Sequence, residues 1–173
     1  YTNVLYMLDL AGIPLRTADR PQDLTVCPLV IAGGGALLSA EPLTPFIDIM
    51  VLGDGEESLP DVLELLEKAL DSGWTRERLL LEARHIPGVY VPSLFTARPE
   101  APTAPPVPLM DDYTRPARRI VADINNTPYP AKQVVPVGAV HNRLSLEIAR
   151  GCTRGCRFCH AGMVYRPVRE RSL

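Results

Sequence analysis

The stretch Phe46-Ile-Asp-Ile-Met-Val-Leu-Gly-Asp-Gly55 joins an apolar run to a pair of glycines. The run from Phe46 to Leu52 predicts a β-strand, and Gly53-Asp-Gly55 predicts the loop that ends it. Apart from Asp48 this run is apolar, and apolar strands are typical of a parallel sheet that is covered on both faces. In such sheets ligands bind beside the carboxyl ends of the strands, which is where this loop would lie.

The segments on either side repeat the order of strand, loop and helix. Upstream, Pro28-Leu-Val-Ile-Ala32 predicts another strand, which Gly33-Gly-Gly35 closes. Downstream, two helices are predicted, with Ser58 and Thr75 as their N-caps, before a short strand at residues 89–91. The first of these helices has an apolar stripe made of Leu59, Val62, Leu63, Leu66 and Leu70. The alternation predicts an α/β fold, as part of a doubly wound parallel sheet.

The two glycine loops are candidate ligand-binding sites, because glycine lets a ligand approach the backbone closely. The candidate residues are Gly33, Gly34, Gly53 and Gly55. The alternative that these glycines only form tight turns with positive φ stays open. Ser58 stands where a dinucleotide fingerprint needs its third glycine, and neither loop is followed by G-K-[ST], which excludes a P-loop.

The character of the chain changes after Val91. Ten of the 18 prolines lie between Pro92 and Pro136, a composition that favours stiff, extended chain. We therefore predict an α/β domain over residues 1–96, a proline-rich linker over 97–133, and a second domain over 134–173. The first firm strand of that second domain is predicted at Leu144–Ala149.

Three cysteines follow this strand, in the spacing Cys152-x3-Cys156-x2-Cys159. Thiolates select zinc, Cu(I) or iron–sulfur clusters, and a 4Fe-4S cluster normally takes four of them. With three ligands close together, one iron would stay open to another molecule. Two alternatives remain, namely a zinc site completed by His160 and a disulfide with one spare thiol. Cys27 is remote in sequence, and we predict that it is a small buried apolar residue.

The cysteine run and the residues around it, from Arg150 to Ser172, resemble the radical S-adenosylmethionine (SAM) enzymes. The resemblance implies that Cys152, Cys156 and Cys159 hold a 4Fe-4S cluster whose fourth iron is chelated by the amino and carboxylate groups of SAM. It implies an enzyme that reductively cleaves SAM to methionine and a 5'-deoxyadenosyl radical. It also implies that Phe158 lies near the adenine, and that a protein such as flavodoxin or ferredoxin donates the electron.

The resemblance extends to a subgroup that has an amino-terminal cobalamin-binding-like domain. Ile31-Ala-Gly-Gly34 and Val51-Leu-Gly-Asp-Gly-Glu-Glu57 resemble late strand–loop units of that domain. This implies cobalamin as a candidate cofactor at the glycine loops, although none of the histidines lies in a D-x-H-x-x-G motif. It further implies that a partial (β/α) barrel begins at about Leu144 and continues beyond Leu173. We expect the chain to be a piece of a longer protein and inactive by itself.

Charge and composition narrow the classes of partner and substrate that remain. The net charge of −2 gives no strong overall attraction to nucleic acid or to membranes, and no apolar run reaches ~18 residues. From Arg143 onward the sequence contains seven arginines and two glutamates. This excess of positive charge suggests RNA or another anionic substrate; the substrate itself is unknown. Clustered thiols suit a reducing cytoplasm. The competing hypothesis is a cobalamin-like sensor module in which the cysteines hold a structural zinc ion.

Overall fold

The computed structural model of the chain describes residues 2–101, 103–114, 116–128 and 146–172. It divides into two compact units, Tyr1–Ile120 and Val121–Leu173. The first unit therefore runs beyond residue 96, where we predicted the first domain to end. The boundaries of independently folding domains stay a prediction.

The first unit is built around a small mixed sheet. Its strands are β1 (Ile31–Gly33), β2 (Ile49–Val51) and β3 (Val89–Tyr90), in the order β1-β2-β3. Strands β1 and β2 are parallel, as predicted, and Ile31 lies opposite Ile49. Strand β3 runs antiparallel to β2, so the expectation of a parallel sheet is confirmed for one pair and wrong for the other.

The direction of β3 follows from the two helices that precede it. Helix α2 (Gly55–Asp71) leaves the carboxyl end of β2, and α3 (Arg76–Ala83) packs against it on the way back. The chain thus returns to the end of the sheet at which β2 finishes, and there the N–H of Leu52 donates to the carbonyl of Gly88 at 2.7 Å. A neighbouring strand that starts at the carboxyl end of β2 must run antiparallel to β2.

The two helices form as predicted, but the apolar stripe predicted for α2 is wrong in part, because Val62 is buried whereas Leu59, Leu63 and Leu70 are exposed. One of the two predicted N-caps also needs correction. Thr75 is the N-cap of α3, and its hydroxyl accepts from the N–H of Arg78 at 3.3 Å. Ser58 is not the N-cap of α2, because that helix already begins at Gly55. The Ser58 hydroxyl is instead fully buried and donates to the carbonyl of Pro87 at 3.0 Å.

Both faces of the sheet are covered. One face packs Ile49, Val51 and Val89 against apolar side chains of α2 and α3. The other face presents Met50 and Tyr90, which pack against residues of two short 3-10 helices, Gly35–Ser39 and Glu41–Phe46. A further helix, α1 (Thr2–Leu10), precedes the sheet in the chain, and its Val4 packs against this second cluster.

Part of the proline-rich segment packs onto the first unit. Strand β4 (Phe95–Thr96) pairs with β5 (Val107–Pro108) in an antiparallel ribbon. Arg119 then forms a parallel bridge with Gly53, extending the hydrogen bonding beyond the end of β2. These contacts make residues 107–114 and 116–120 part of the structure around the sheet, although their composition predicts extended chain.

Tyr113 fixes this segment to the edge of the sheet. Its buried hydroxyl donates to the carbonyl of Val89 at 3.0 Å and accepts from the N–H of Val91 at 3.1 Å. The ring also packs edge-on against Phe95, with ring centroids 5.2 Å apart. One phenol therefore satisfies two main-chain groups on the outer edge of β3.

Replacing Tyr113 by phenylalanine is expected to destabilise the chain by about 1–3 kcal/mol, because two main-chain groups lose their buried partner. Burial raises the pKa of Tyr113, so the folded chain favours the neutral phenol. That stabilisation is complete below the unfolded tyrosine pKa of about 10 and is lost as pH rises through the folded pKa. Urea unfolding should show stability falling more steeply above about pH 10 in the unsubstituted chain than in Tyr113→Phe. Equal slopes would contradict this assignment.

The second unit contains a short antiparallel pair around the cysteine loop. Strand β6 (Ala149–Arg150) pairs with β7 (Arg169–Glu170), and helix α4 (Ala161–Val164) lies between them. The predicted strand Leu144–Ala149 coincides with β6 only at Ala149, and its first two residues lie outside the described part of the chain. The described residues of this unit show no barrel, so the barrel stays an expectation from the resemblance.

None of the helices in the described residues is long and apolar enough to cross a membrane.

Candidate functional site

The structure brings the four candidate glycines together. Gly33 and Gly34 at the end of β1, and Gly53 and Gly55 after β2, line one cavity of about 380 Å³. The cavity lies beside the carboxyl ends of two adjacent parallel strands, as the sequence predicts. Its remaining lining is apolar, from Ile31, Ala32, Val51 and Leu59.

The glycines of this cavity serve different purposes. A Cβ on Gly53 would lie 2.1 Å from the carbonyl oxygen of Arg119, and its φ is +101°, so the fold itself requires glycine there. A Cβ on Gly33 or Gly55 would meet nothing within 4 Å. Gly34 also has free space, but its φ of +99° favours glycine for conformational reasons. The chain's own packing therefore leaves Gly33 and Gly55 unexplained, and an approaching ligand would explain them.

Gly53→Ala and Gly55→Ala form a matched pair that tests this reading. Gly53→Ala should destabilise the first unit by more than ~1 kcal/mol, since it combines a clash with the Arg119 carbonyl and a positive φ. Gly55→Ala should be tolerated, because it opens helix α2 and its Cβ has free space. Thermal unfolding followed by circular dichroism measures both. A Gly53→Ala chain as stable as Gly55→Ala would show that Arg119 does not lie against Gly53.

Arg119 also controls the charge beside the cavity. Its Nε donates to Glu57 at 2.6 Å and its Nη1 to Asp61 at 2.5 Å. The hydrogen bond that Arg119 donates to Asp61, followed by the one that it donates to Glu57, raises the pKa of Arg119, so it stays cationic. These ion pairs compensate the negative charges of two carboxylates in the first turns of α2, so the carboxylates repel an anionic ligand less. The sequence pattern did not predict this arginine, because its contacts lie 58 residues or more away in the chain.

The cysteine loop lies between β6 and α4. Gly151, with φ of +91°, starts the loop where a Cβ would be 2.7 Å from the carbonyl oxygen of Tyr165. The N–H of Arg154 lies 3.4 Å from Sγ of Cys152, and the N–H of Cys159 donates to the carbonyl of Cys156 at 3.2 Å. The loop therefore has a defined main-chain path.

All three thiols of the loop are free. Cys156 and Cys159 are exposed and Cys152 is partly exposed, while Cys27 is a buried free thiol, as predicted. Across the described residues, no three His, Cys, Asp or Glu side chains are arranged to hold a metal ion. The donor set has the right chemistry for a cluster, since three thiols that form no disulfide share one short loop. Ligand positions can form when the metal binds, because metal binding and local folding are coupled.

Phe158 and His160 also lie on this loop. Phe158 is 91% exposed, which leaves its ring free to contact another molecule. His160 is the N-cap of α4, and its side chain makes no capping hydrogen bond. Its carbonyl accepts from the N–H groups of Met163 and Val164 at 2.8 and 2.9 Å.

Arginines anchor the strands that support the loop. Arg150 donates to Glu147 at 2.7 Å, and Arg171 contacts the same carboxylate at 3.4 Å. The hydrogen bond from Arg150 is the main cause that lowers the pKa of Glu147, with Arg171 contributing less. Arg169 is buried and donates to the carbonyl of Val121 at 2.7 Å. Three of the seven arginines that suggested an anionic substrate thus make ion pairs or hydrogen bonds inside this unit.

The fold and site define an α/β protein with a glycine-lined cavity at its strand ends and a separate loop of three free cysteines. The family model that describes the N-terminal region of radical SAM proteins matches residues 1–92, slightly more than half of the chain. The chain therefore belongs to the radical SAM proteins, through its N-terminal region. None of the curated proteins and none of the solved structures compared with it matches.

Proposed function

We propose that this chain belongs to a radical SAM enzyme and that Cys152, Cys156 and Cys159 hold a 4Fe-4S cluster. The observation that supports this most directly is a loop of three free thiols, directly after a strand, in a chain of this family. When bound, the cluster supplies the electron that cleaves SAM into methionine and a 5'-deoxyadenosyl radical. Three protein ligands leave room for SAM at the fourth iron.

Residues of the loop have separate roles in this proposal. Phe158 stacks near the adenine of SAM, a role that its nearly complete exposure permits. The N–H of Arg154 is directed at Sγ of Cys152. Hydrogen bonds to the sulfurs are one of the ways in which proteins set the reduction potential of an iron–sulfur cluster. Glu147, held between Arg150 and Arg171, fixes the strand from which the loop starts.

The glycine-lined cavity is the proposed second cofactor site, with cobalamin as the candidate that the family resemblance suggests. Gly33 and Gly55 would let the cofactor approach the backbone, and Gly34 and Gly53 shape the loops around it. His85, His141 and His160 do not stand in the motif that supplies the lower cobalt ligand in many such domains. None of these three histidines is therefore proposed as the lower ligand of a cobalamin bound here.

The proposed partners are SAM, an electron donor of the flavodoxin or ferredoxin type, and a substrate that is RNA or another anion. The proposed location is a reducing cytoplasm, where thiols and clusters persist. The architecture that accompanies this function is a doubly wound, cobalamin-binding-like domain followed by the start of a partial (β/α) barrel. The parallel pair β1–β2, with its ligand-sized cavity, supports the first half of that architecture.

Anaerobic reconstitution of the chain with iron and sulfide tests the metal assignment. The proposal predicts a brown protein in which iron and sulfide are present in similar amounts. A colourless protein that retains one tightly bound zinc ion would instead support the alternative, a sensor module with a structural zinc site. The same preparation, incubated with hydroxocobalamin and desalted, shows whether the protein retains cobalamin and so tests the second site.

A further inference from the structure

A second cavity of the first unit, of about 190 Å³, lies on the face of the sheet opposite helices α2 and α3. Its floor is formed by Met50 and Tyr90, which are cross-strand neighbours, together with Leu52. Phe95 packs edge-on against Tyr90, with ring centroids 4.9 Å apart, and completes an apolar and aromatic surface. The glycines that line the first cavity contribute nothing to this one.

Two residues of opposite charge are among those that line this apolar cavity. They are Glu41, at the start of a 3-10 helix, and Arg118, from the segment that follows β5. The hydroxyl of Tyr90, which also lines the cavity, donates to Oε1 of Glu41 at 3.3 Å. Because charged groups interact more strongly beside apolar surface than in water, this pair can select a ligand by its charges.

The size of the cavity sets a limit on the ligand. Pockets for drug-sized molecules measure ~300–1,000 Å³, so this cavity suits something smaller. An apolar body would cover Leu52 and Phe95, which are partly exposed, and the two charged groups of the ligand would face Glu41 and Arg118. An ammonium and a carboxylate on one small molecule with an apolar side chain describe an α-amino acid.

We propose that this cavity binds an apolar α-amino acid, whose ammonium group pairs with Glu41 and whose carboxylate pairs with Arg118. The side chain of the ligand lies against Leu52 and Phe95, the partly exposed apolar residues of the lining. The proposal does not depend on the cluster at the cysteine loop, because every residue that it uses lies in the first unit.

Isothermal titration of the chain with L-phenylalanine and L-methionine tests the site. Phenylpropionate, which lacks the ammonium, and phenethylamine, which lacks the carboxylate, separate the two charges. We expect saturable binding of at least one amino acid, and at least tenfold weaker binding of each analogue. Absence of saturable binding by both amino acids, or an analogue that binds as tightly as L-phenylalanine, would overturn the proposal.

Glu41→Gln removes the charge that is proposed to hold the ammonium, and it should weaken amino-acid binding at least tenfold. Glu64→Gln is the matched control on the exposed side of α2 and should leave binding unchanged. Tyr90→Phe gives a second variant, which frees the Glu41 carboxylate and should weaken binding less than Glu41→Gln does. Circular dichroism verifies that each variant is folded. Unchanged binding by the folded Glu41→Gln chain would also overturn the proposal.

Discussion

Alanine at Cys152, Cys156 or Cys159 is expected to abolish stable cluster assembly, and with it the cleavage of SAM by the full-length protein. A loop with three thiols has no spare ligand, because the only other cysteine of the chain, Cys27, is buried in the other compact unit. Loss of one thiolate would leave two irons without protein ligands. Iron and sulfide content after anaerobic reconstitution and desalting should fall to near background in each single variant.

Cys27→Ala is the matched control for these three substitutions. It removes a thiol of the same chain, but one that is 5% exposed and donates weakly to the carbonyl of Pro28. Its iron and sulfide content should equal that of the unsubstituted chain. Retention of a full cluster by any of the three loop variants, or its loss in Cys27→Ala, would show that the ligands have been assigned wrongly.

Asp48→Ala is expected to cause the largest loss of stability among single substitutions considered for the first unit. The Asp48 carboxylate is fully buried and accepts from Arg20 at 2.7 Å, Arg76 at 3.2 Å and the N–H of Val30 at 2.8 Å. Both guanidinium groups are also buried. Removing one partner of a buried ion pair typically costs about 3–5 kcal/mol, because the remaining charge stays buried without compensation.

The two arginines also explain why this network stabilises a particular chain path. Arg20 donates to the carbonyls of Pro14, Leu15 and Phe46. Arg76 donates to the carbonyls of Pro21, Cys27 and Pro28. Asp48 therefore holds the side chains of Arg20 and Arg76, which connect the irregular segment of residues 14–28 to the start of β2.

Asp112→Ala provides the control for Asp48→Ala. Asp112 also pairs with an arginine, Arg84, at 2.9 Å, but its side chain is 57% exposed. Chemical unfolding should show a strongly lowered midpoint for Asp48→Ala and no measurable change for Asp112→Ala. Similar midpoints for the two variants would mean that the buried network contributes little to the stability of the fold.

Local sequence patterns predicted those parts of the fold that depend on neighbouring residues. The capping of α3 by Thr75, the parallel pair β1–β2 and the meeting of the two glycine loops follow from periodicity and turn chemistry. The antiparallel direction of β3 did not follow, because it depends on the packing of α3 against α2. The proline-rich composition also concealed the packing of Tyr113 against the sheet, which rests on a contact more than twenty residues away in the chain.

The residues of the candidate sites also divide into those that local sequence patterns predicted and those that they did not. The three cysteines and four glycines stand out because their residue types and spacing have chemical meaning within a few positions. Arg119, which neutralises Glu57 and Asp61, and Asp48, which joins two buried arginines, gave no local pattern. A lone charged residue in a sequence does not reveal its partner, so only the folded chain shows these roles.

The central claim is that three cysteines of one loop hold a cluster with one iron left open to SAM. Electron paramagnetic resonance of the reduced, reconstituted full-length protein, recorded with and without SAM, tests it most directly. The claim predicts a 4Fe-4S signal whose shape changes when SAM is added, because SAM binds the open iron. A cluster spectrum that is indifferent to SAM, or a protein that binds zinc and gives no iron–sulfur signal, would contradict it.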